Sequence, residues 1–248
     1  MHTSISHQGM ARLLVTLALF TAACSDPASR LSAPAPRAIA NASRSLGVAA
    51  APFAILANAT VTCTDGSIIG DVGTFEPTPT GSVNLGLCPV TGTVHVGDVE
   101  SQAAFTEFLG IYASLAPKPG DTCTILTGTL AGITLAPGSY CFDAEAALTG
   151  VLTLDGSGFT DFHPAWDFKI GTSGTGELSG TNLTVVMAGG GNACNVTWWV
   201  AQGSAMTTSD FKGNILAGGA VTFTDGSYNG NAWASADATV TRTAITGC

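Results

Sequence analysis

Charge is scarce in this chain: only 10% of its 248 residues are Asp, Glu, Lys or Arg. The formal net charge of −9 reflects a shortage of cations, with 8 Lys and Arg against 17 Asp and Glu, and no acidic run. Without a basic patch nothing can neutralise phosphates or anionic lipid heads, so nucleic acid is not an expected partner. Small neutral side chains must cover most of the surface, which is unusual for a soluble protein. Motifs that carry chemistry are missing as well. There is no nucleophile elbow, HExxH, P-loop or paired-carboxylate pattern, so no enzyme is expected. No CxxC or Cys/His spacing points to zinc, and neither a metal nor another cofactor is expected. His95 and His163 read as structural. Asp65-Gly66-Ser67 and Asp225-Gly226-Ser227 lack the multi-carboxylate spacing of a calcium loop and read as turns.

Long apolar runs are also missing. Ala11 to Ala23 form a short apolar stretch behind Arg12, too short to span a bilayer and ending in small residues as a secretory signal does. Residues 1–24 are therefore expected to be a signal peptide and the mature protein to be secreted or held at the outer cell surface. Phe20-Thr21-Ala22-Ala23-Cys24 resembles a lipoprotein cleavage site, with Thr21 where Leu is usual. Lipidation of Cys24, giving a membrane tether, and ordinary cleavage nearby both stay open. From Ser25 to about Ala51 the chain is Ala, Ser, Pro and Arg with no apolar period, which predicts a disordered linker over 25–51. The remaining residues, 52–248, suit one large all-β domain, expected to be monomeric. Apart from Cys24 the cysteines are Cys63, Cys88, Cys123, Cys141, Cys194 and Cys248. An even number in an exported chain favours disulfides. Their connectivity stays open; neighbour pairing, Cys63 with Cys88 and Cys123 with Cys141, is the expectation.

From Phe53 onward short apolar runs alternate with turn signals such as Pro137-Gly138 and Asp155-Gly156, predicting many brief strands. One segment differs. Asp98 offers a helix cap, and Val99, Phe105, Phe108, Leu109, Tyr112 and Leu115 supply an apolar stripe until Pro117, predicting a helix at 98–116. Near the C-terminus the sequence repeats. Ala205-Met206-Thr207, Thr222-Phe223-Thr224 and Thr239-Val240-Thr241 recur every 17 residues, and Phe211, Tyr228 and Ile245, then Gly213, Gly230 and Gly247, keep the same register. A period this short fits one solenoid coil of three strands and three turns.

Strand alternation fixes what each repeat exposes. Met206, Phe223 and Val240 point inward, so Ala205, Thr207, Thr222, Thr224, Thr239 and Thr241 share one outer face. Thr134 and Thr153 have the same alternation but an irregular spacing, which makes them weaker candidates. Stacked coils repeat about every 4.8 Å and alternate residues of a strand about every 6.7 Å, so the face is a regular array of hydroxyls and methyls. Threonine on a solvated sheet is also simply a good strand former, and Asp210, Lys212 and Arg242 lie near these columns. A surface adhesin or structural solenoid is therefore the alternative reading. Trp166, Trp198, Trp199 and Trp233 suggest a sugar-stacking platform for a carbohydrate-binding solenoid, although alternation lets only one of Trp198 and Trp199 face outward.

The chain resembles the microbial ice-binding proteins from about Phe53 to its end. The marks are Phe53-Ala54-Ile55-Leu56-Ala57, Gly70-Asp71-Val72-Gly73, Gly92-Thr93-Val94-His95, the run from Leu135 to Phe142, Cys194-Asn195-Val196-Thr197-Trp198 and the run from Phe211 to Ala217. The resemblance implies a mostly β fold: a right-handed, discontinuous β-solenoid (β-helix) of roughly triangular section with one long α-helix packed alongside. It also implies an ice crystal surface as the partner, antifreeze action with inhibition of ice growth and recrystallisation, and a flat ice-binding face away from the helix. That family has no strict motif on its face, so the site residues rest on the register above. Cys63 and Cys88 are beyond what the resemblance implies.

Overall fold

The computed structural model describes residues 48–158 and 163–248. Cys24, the expected signal peptide and most of the expected linker lie outside the described residues. The chain opens with β1 (Phe53–Ala57), β2 (Thr60–Thr64), β3 (Ser67–Ile69), β4 (Asp71–Thr74), β5 (Ser82–Asn84) and β6 (Val94–Val96), followed by α1 (Val99–Leu115). Next come β7 (Thr124–Ile125), β8 (Ile133–Leu135), β9 (Gly138–Phe142), β10 (Ala146–Asp155), β11 (Trp166–Ile170) and β12 (Leu178–Ala188). The last are β13 (Val196–Val200), β14 (Ser204–Lys212), β15 (Asn214–Ala217), β16 (Val221–Asn229), β17 (Ala232–Ala234) and β18 (Ala238–Thr246).

These strands form two parallel nine-stranded sheets. The first runs β6-β4-β1-β17-β15-β13-β11-β9-β7 and the second β5-β2-β18-β16-β14-β12-β10-β8, with β3 also pairing with β18. Because the chain alternates between the two sheets, each passage through both is one solenoid coil. The stacking order is not the chain order. The N-terminal strands sit at one end, α1 carries the chain along the outside, β7 and β8 start the other end, and the coils wind back until β18 stacks on β2. The 17 residues of α1 rise about 25 Å, roughly five strand spacings, which is how one helix reaches across the stack.

Each long strand of the second sheet bends once. The bend is a column of left-handed residues: Gly150 (φ 71°), Asn182 (φ 50°), Thr208 (φ 50°), Asp225 (φ 54°), Arg242 (φ 46°) and Asp65 (φ 53°). A coil therefore has three straight segments: one in the first sheet and two, on either side of this corner, in the second. The two Asp-Gly-Ser runs are the same corner on two coils, with Arg242 between them.

The interior is filled from all three segments. Tyr140, Phe168, Trp198, Phe211 and Tyr228 follow one another down the stack, with ring centroids 3.8–6.0 Å apart. Asn214 and Asn231 are buried at another corner. Asn214 donates to the Cys194 and Val196 carbonyls, and the Asn231 amide donates to Asn214 Oδ1. Such a ladder satisfies buried polar groups that would otherwise be costly. Three disulfides join Cys63 to Cys88, Cys123 to Cys141 and Cys194 to Cys248. The first two are the neighbour pairs expected from the sequence.

The helix packs on the outer surface of the first sheet. Phe53, Leu56, Trp199, Leu216 and Trp233 face outward there and are covered by Ala104, Phe105, Phe108 and Leu115. The buried helix positions are Ser101, Ala104, Phe105, Phe108 and Leu115. Val99 is 79% and Leu109 43% exposed, which corrects their expected place in the stripe. Among the described residues no helix is long and apolar enough to cross a membrane.

Candidate functional site

α1 covers the middle of the first sheet, and the second sheet is free of it. On the segment before the corner, strand pairing aligns Thr149, Thr181, Thr207, Thr224, Thr241 and Thr64 in one column on six successive coils. Two residues earlier, Ala147, Ser179, Ala205, Thr222, Thr239 and Thr62 form a second column. All twelve are exposed or half-buried. None is charged and none is larger than threonine.

The sequence-derived set Ala205, Thr207, Thr222, Thr224, Thr239 and Thr241 is thus brought together, and it is the middle of a larger array. Sequence reasoning missed Thr149, Thr181, Thr62 and Thr64, whose register is visible only once the coils are stacked. Thr134 and Thr153 pair with each other beyond the corner, on the neighbouring face of the same sheet.

Rigidity comes from beneath. Leu148, Met206, Phe223, Val240 and Cys63 occupy the inward column between the two threonine columns and are almost fully buried. On the remaining coil the position is Gly180, where an added Cβ would lie 2.5 Å from the Met206 sulfur, so the methionine fills the space that glycine leaves. β-Branched threonine has restricted χ1 freedom, so such side chains on a packed strand form a surface with little disorder to lose.

Charge lies at the edges of the array. At the corner, Arg242 Nη2 is 2.9 Å from Asp225 Oδ2 across adjacent coils, and this hydrogen bond holds the Asp225 carboxyl below its ordinary range. Asp65 occupies the same position on the next coil. On the opposite edge stand the exposed Glu145, Glu177 and Asp237. Asp210 and Lys212, which the sequence places near the threonine columns, pair at 2.8 Å on the face beyond the corner. They do not interrupt the array.

The tryptophans and His95 have structural roles. The four tryptophans are buried and each indole N–H donates to a backbone carbonyl, so they form no sugar platform. Trp199 does face outward from its strand, as alternation allows, but α1 covers it and its N–H reaches the Tyr112 carbonyl at 3.0 Å. His95 Nδ1 lies 2.7 Å from Asp98 Oδ2 and its ring packs against Phe53. Glu100 brings a third ligand-type atom within 4.8 Å, yet Asp98 is engaged in capping α1, and the positive end of a helix disfavours a cation. His163 is exposed.

Parallel coils, an outlying helix and an uncharged threonine array define a β-solenoid protein. Residues 55–246 match the family described as ice-binding-like, and the chain belongs to that family. A crystal structure of an ice-binding protein from the Antarctic ascomycete Antarctomyces psychrotrophicus is similar at 29% identity and TM-score 0.71, covering 81% of this chain and 96% of that one. An ice-binding protein domain from Shewanella frigidimarina gives 26% identity and TM-score 0.72, covering 82% and 96%. An ice-binding protein from an Antarctic biological consortium gives 27% and 0.72, covering 81% and 89%. Among curated proteins, no match was found.

Proposed function

We propose that the protein is an exported, non-enzymatic ice binder that adsorbs to crystals through the two threonine columns and so inhibits ice growth and recrystallisation. The carrying observation is the unbroken threonine column on six coils, from Thr149 to Thr64, on a face that the helix leaves free. The contact residues are Ala205, Thr207, Thr222, Thr224, Thr239 and Thr241 together with Thr62, Thr64, Thr149 and Thr181. Their hydroxyls and methyls repeat at about 4.8 Å and 6.7 Å, holding surface water in a regular arrangement. Freezing that water onto a crystal orders little that is not already ordered, so many weak contacts sum.

Three straight segments per coil support a roughly triangular section, and the strong preference for right-handed parallel crossovers supports a right-handed coil. The short apolar leader supports export, with 1–24 removed or Cys24 lipidated, 25–51 as a linker and 52–248 as the ice-binding domain. One chain completes the array, which supports action as a monomer.

Thermal hysteresis and recrystallisation inhibition of the full-length chain, measured beside Thr224→Tyr, test this reading. The tyrosine stands proud of the array and should cut both activities by at least half, while the melting temperature moves by no more than about 2 °C. Undiminished activity in the folded variant would remove the face from the mechanism. Inactivity of both proteins would leave the adhesin reading ahead.

A further inference from the structure

Beyond the corner, the second sheet presents a mixed face. On β10 and β12, Val151 pairs with Thr184 and Thr153 with Val186, and Thr134 of β8 continues the second column. Val151 is 47% and Val186 38% exposed. Valine and threonine have the same branched outline, so these five side chains make a level patch of methyls and hydroxyls. The next coil ends it with the Asp210–Lys212 pair.

Continuity with the threonine array exists at this end alone. Here the corner residues are the uncharged Gly150 and Asn182, whereas three coils at the other end carry Asp225, Arg242 and Asp65. Packing does not need the exposed valines, since the interior on these coils is already filled by Leu152, Leu154, Leu183 and Val185. Nor is the patch sized for a protein partner. Three strands and two outward positions span about 14 Å by 7 Å, roughly 100 Å², against about 800 Å² per side for a stable interface.

We propose that Thr134, Val151, Thr153, Thr184 and Val186 form a second ice-contact surface that continues the threonine array around the corner. The inference rests on the threonine-face reading. A left-handed corner turns the outward directions of the two surfaces apart, so one crystal plane cannot touch both. The protein then adsorbs to two families of ice planes, one through each surface.

The test is adsorption of the fluorescently tagged full-length chain to a single-crystal ice hemisphere, with hysteresis measured in parallel. The unaltered chain should decorate two families of planes. Val151→Tyr/Thr153→Tyr should lose one family and at least half of the hysteresis, while Thr224→Tyr loses the other family. Circular dichroism and melting temperature confirm the fold; if the double variant does not fold, Thr184→Tyr on the neighbouring coil repeats the test. A single decorated family, or an unchanged pattern in the folded double variant, would overturn the second surface and leave the threonine face standing. Full activity in Thr224→Tyr with none in the double variant would overturn the threonine face instead, with the patch beyond the corner as the site.

Discussion

Thr208 shows how much the corner demands of individual residues. Its φ of 50° is a left-handed conformation in which a β-branched side chain crowds its own backbone. The equivalent positions hold Gly150, Asn182, Asp225 and Asp65, types that tolerate this region, and Arg242, whose guanidinium reaches Asp225 on the next coil. Thr208→Asn should therefore relieve about 1 kcal/mol and raise the melting temperature by about 2–4 °C, with hysteresis unchanged because the side chain sits on the corner. A melting temperature that falls would mean that Thr208 makes contacts worth more than its strain. The Asp-Gly pairs at 65 and 225 are legible in the sequence as turns. Thr208 and Arg242 share the 17-residue register of Asp225, but neither is a turn-forming type, so the register alone does not announce a left-handed corner there.

At the scale of elements, the helix was legible because its signals are local. Asp98 caps it, accepting from the Ser101 amide at 2.9 Å, and Pro117 lies just past its end. The missed detail, Val99 and Leu109 facing solvent, is set by which side meets the first sheet, and that is a tertiary fact. The threonine strands were legible only where coils have equal length. Seventeen residues separate Thr207, Thr224 and Thr241, but 26 separate Thr181 from Thr207 and 32 separate Thr149 from Thr181. Loops of varied length at the corners break the period while the ladder keeps the register. The cap supports a prediction of its own. Burial raises the Asp98 pKa, but the Ser101 amide and His95 outweigh it, leaving the carboxyl below its ordinary value of 3.8. A depressed carboxylate stabilises the fold above its unfolded pKa and loses that contribution as pH falls through the folded one. Asp98→Ala should cost about 1 kcal/mol near neutral pH, and the gap in melting temperature from the unaltered protein should shrink below about pH 4. A gap that is the same at pH 3 and pH 7 would show that the charge of Asp98 contributes nothing.

For the whole molecule, the decisive fact is that the last strand stacks on one of the first. β18 pairs with β2, and the threonine columns cross from C-terminal to N-terminal coils at that seam. No local signal in the sequence announces the seam, since Thr62 and Thr64 lie more than 170 residues from their neighbours Thr239 and Thr241. Cys248, just after β18, is held to Cys194 across 54 residues, and its amide donates to Asn231 Oδ1, the residue whose own amide donates to Asn214. The other two bridges close 25 and 18 residues. If each disulfide acts mainly by restricting the unfolded chain, the longest loop contributes most, about 4 kcal/mol against about 3 for the shortest. Cys194→Ser/Cys248→Ser should then lower the melting temperature by about 8–16 °C, and more than Cys123→Ser/Cys141→Ser does. The variant's threonine face should still bind ice near 0 °C, because the array is built from strand pairing and interior packing that the bridge does not supply. A larger loss from the Cys123/Cys141 variant would show that native contacts around the β7–β9 end, not chain entropy, set the order. Loss of ice activity in a folded Cys194/Cys248 variant would show that the seam needs the bridge to keep the threonine columns in line.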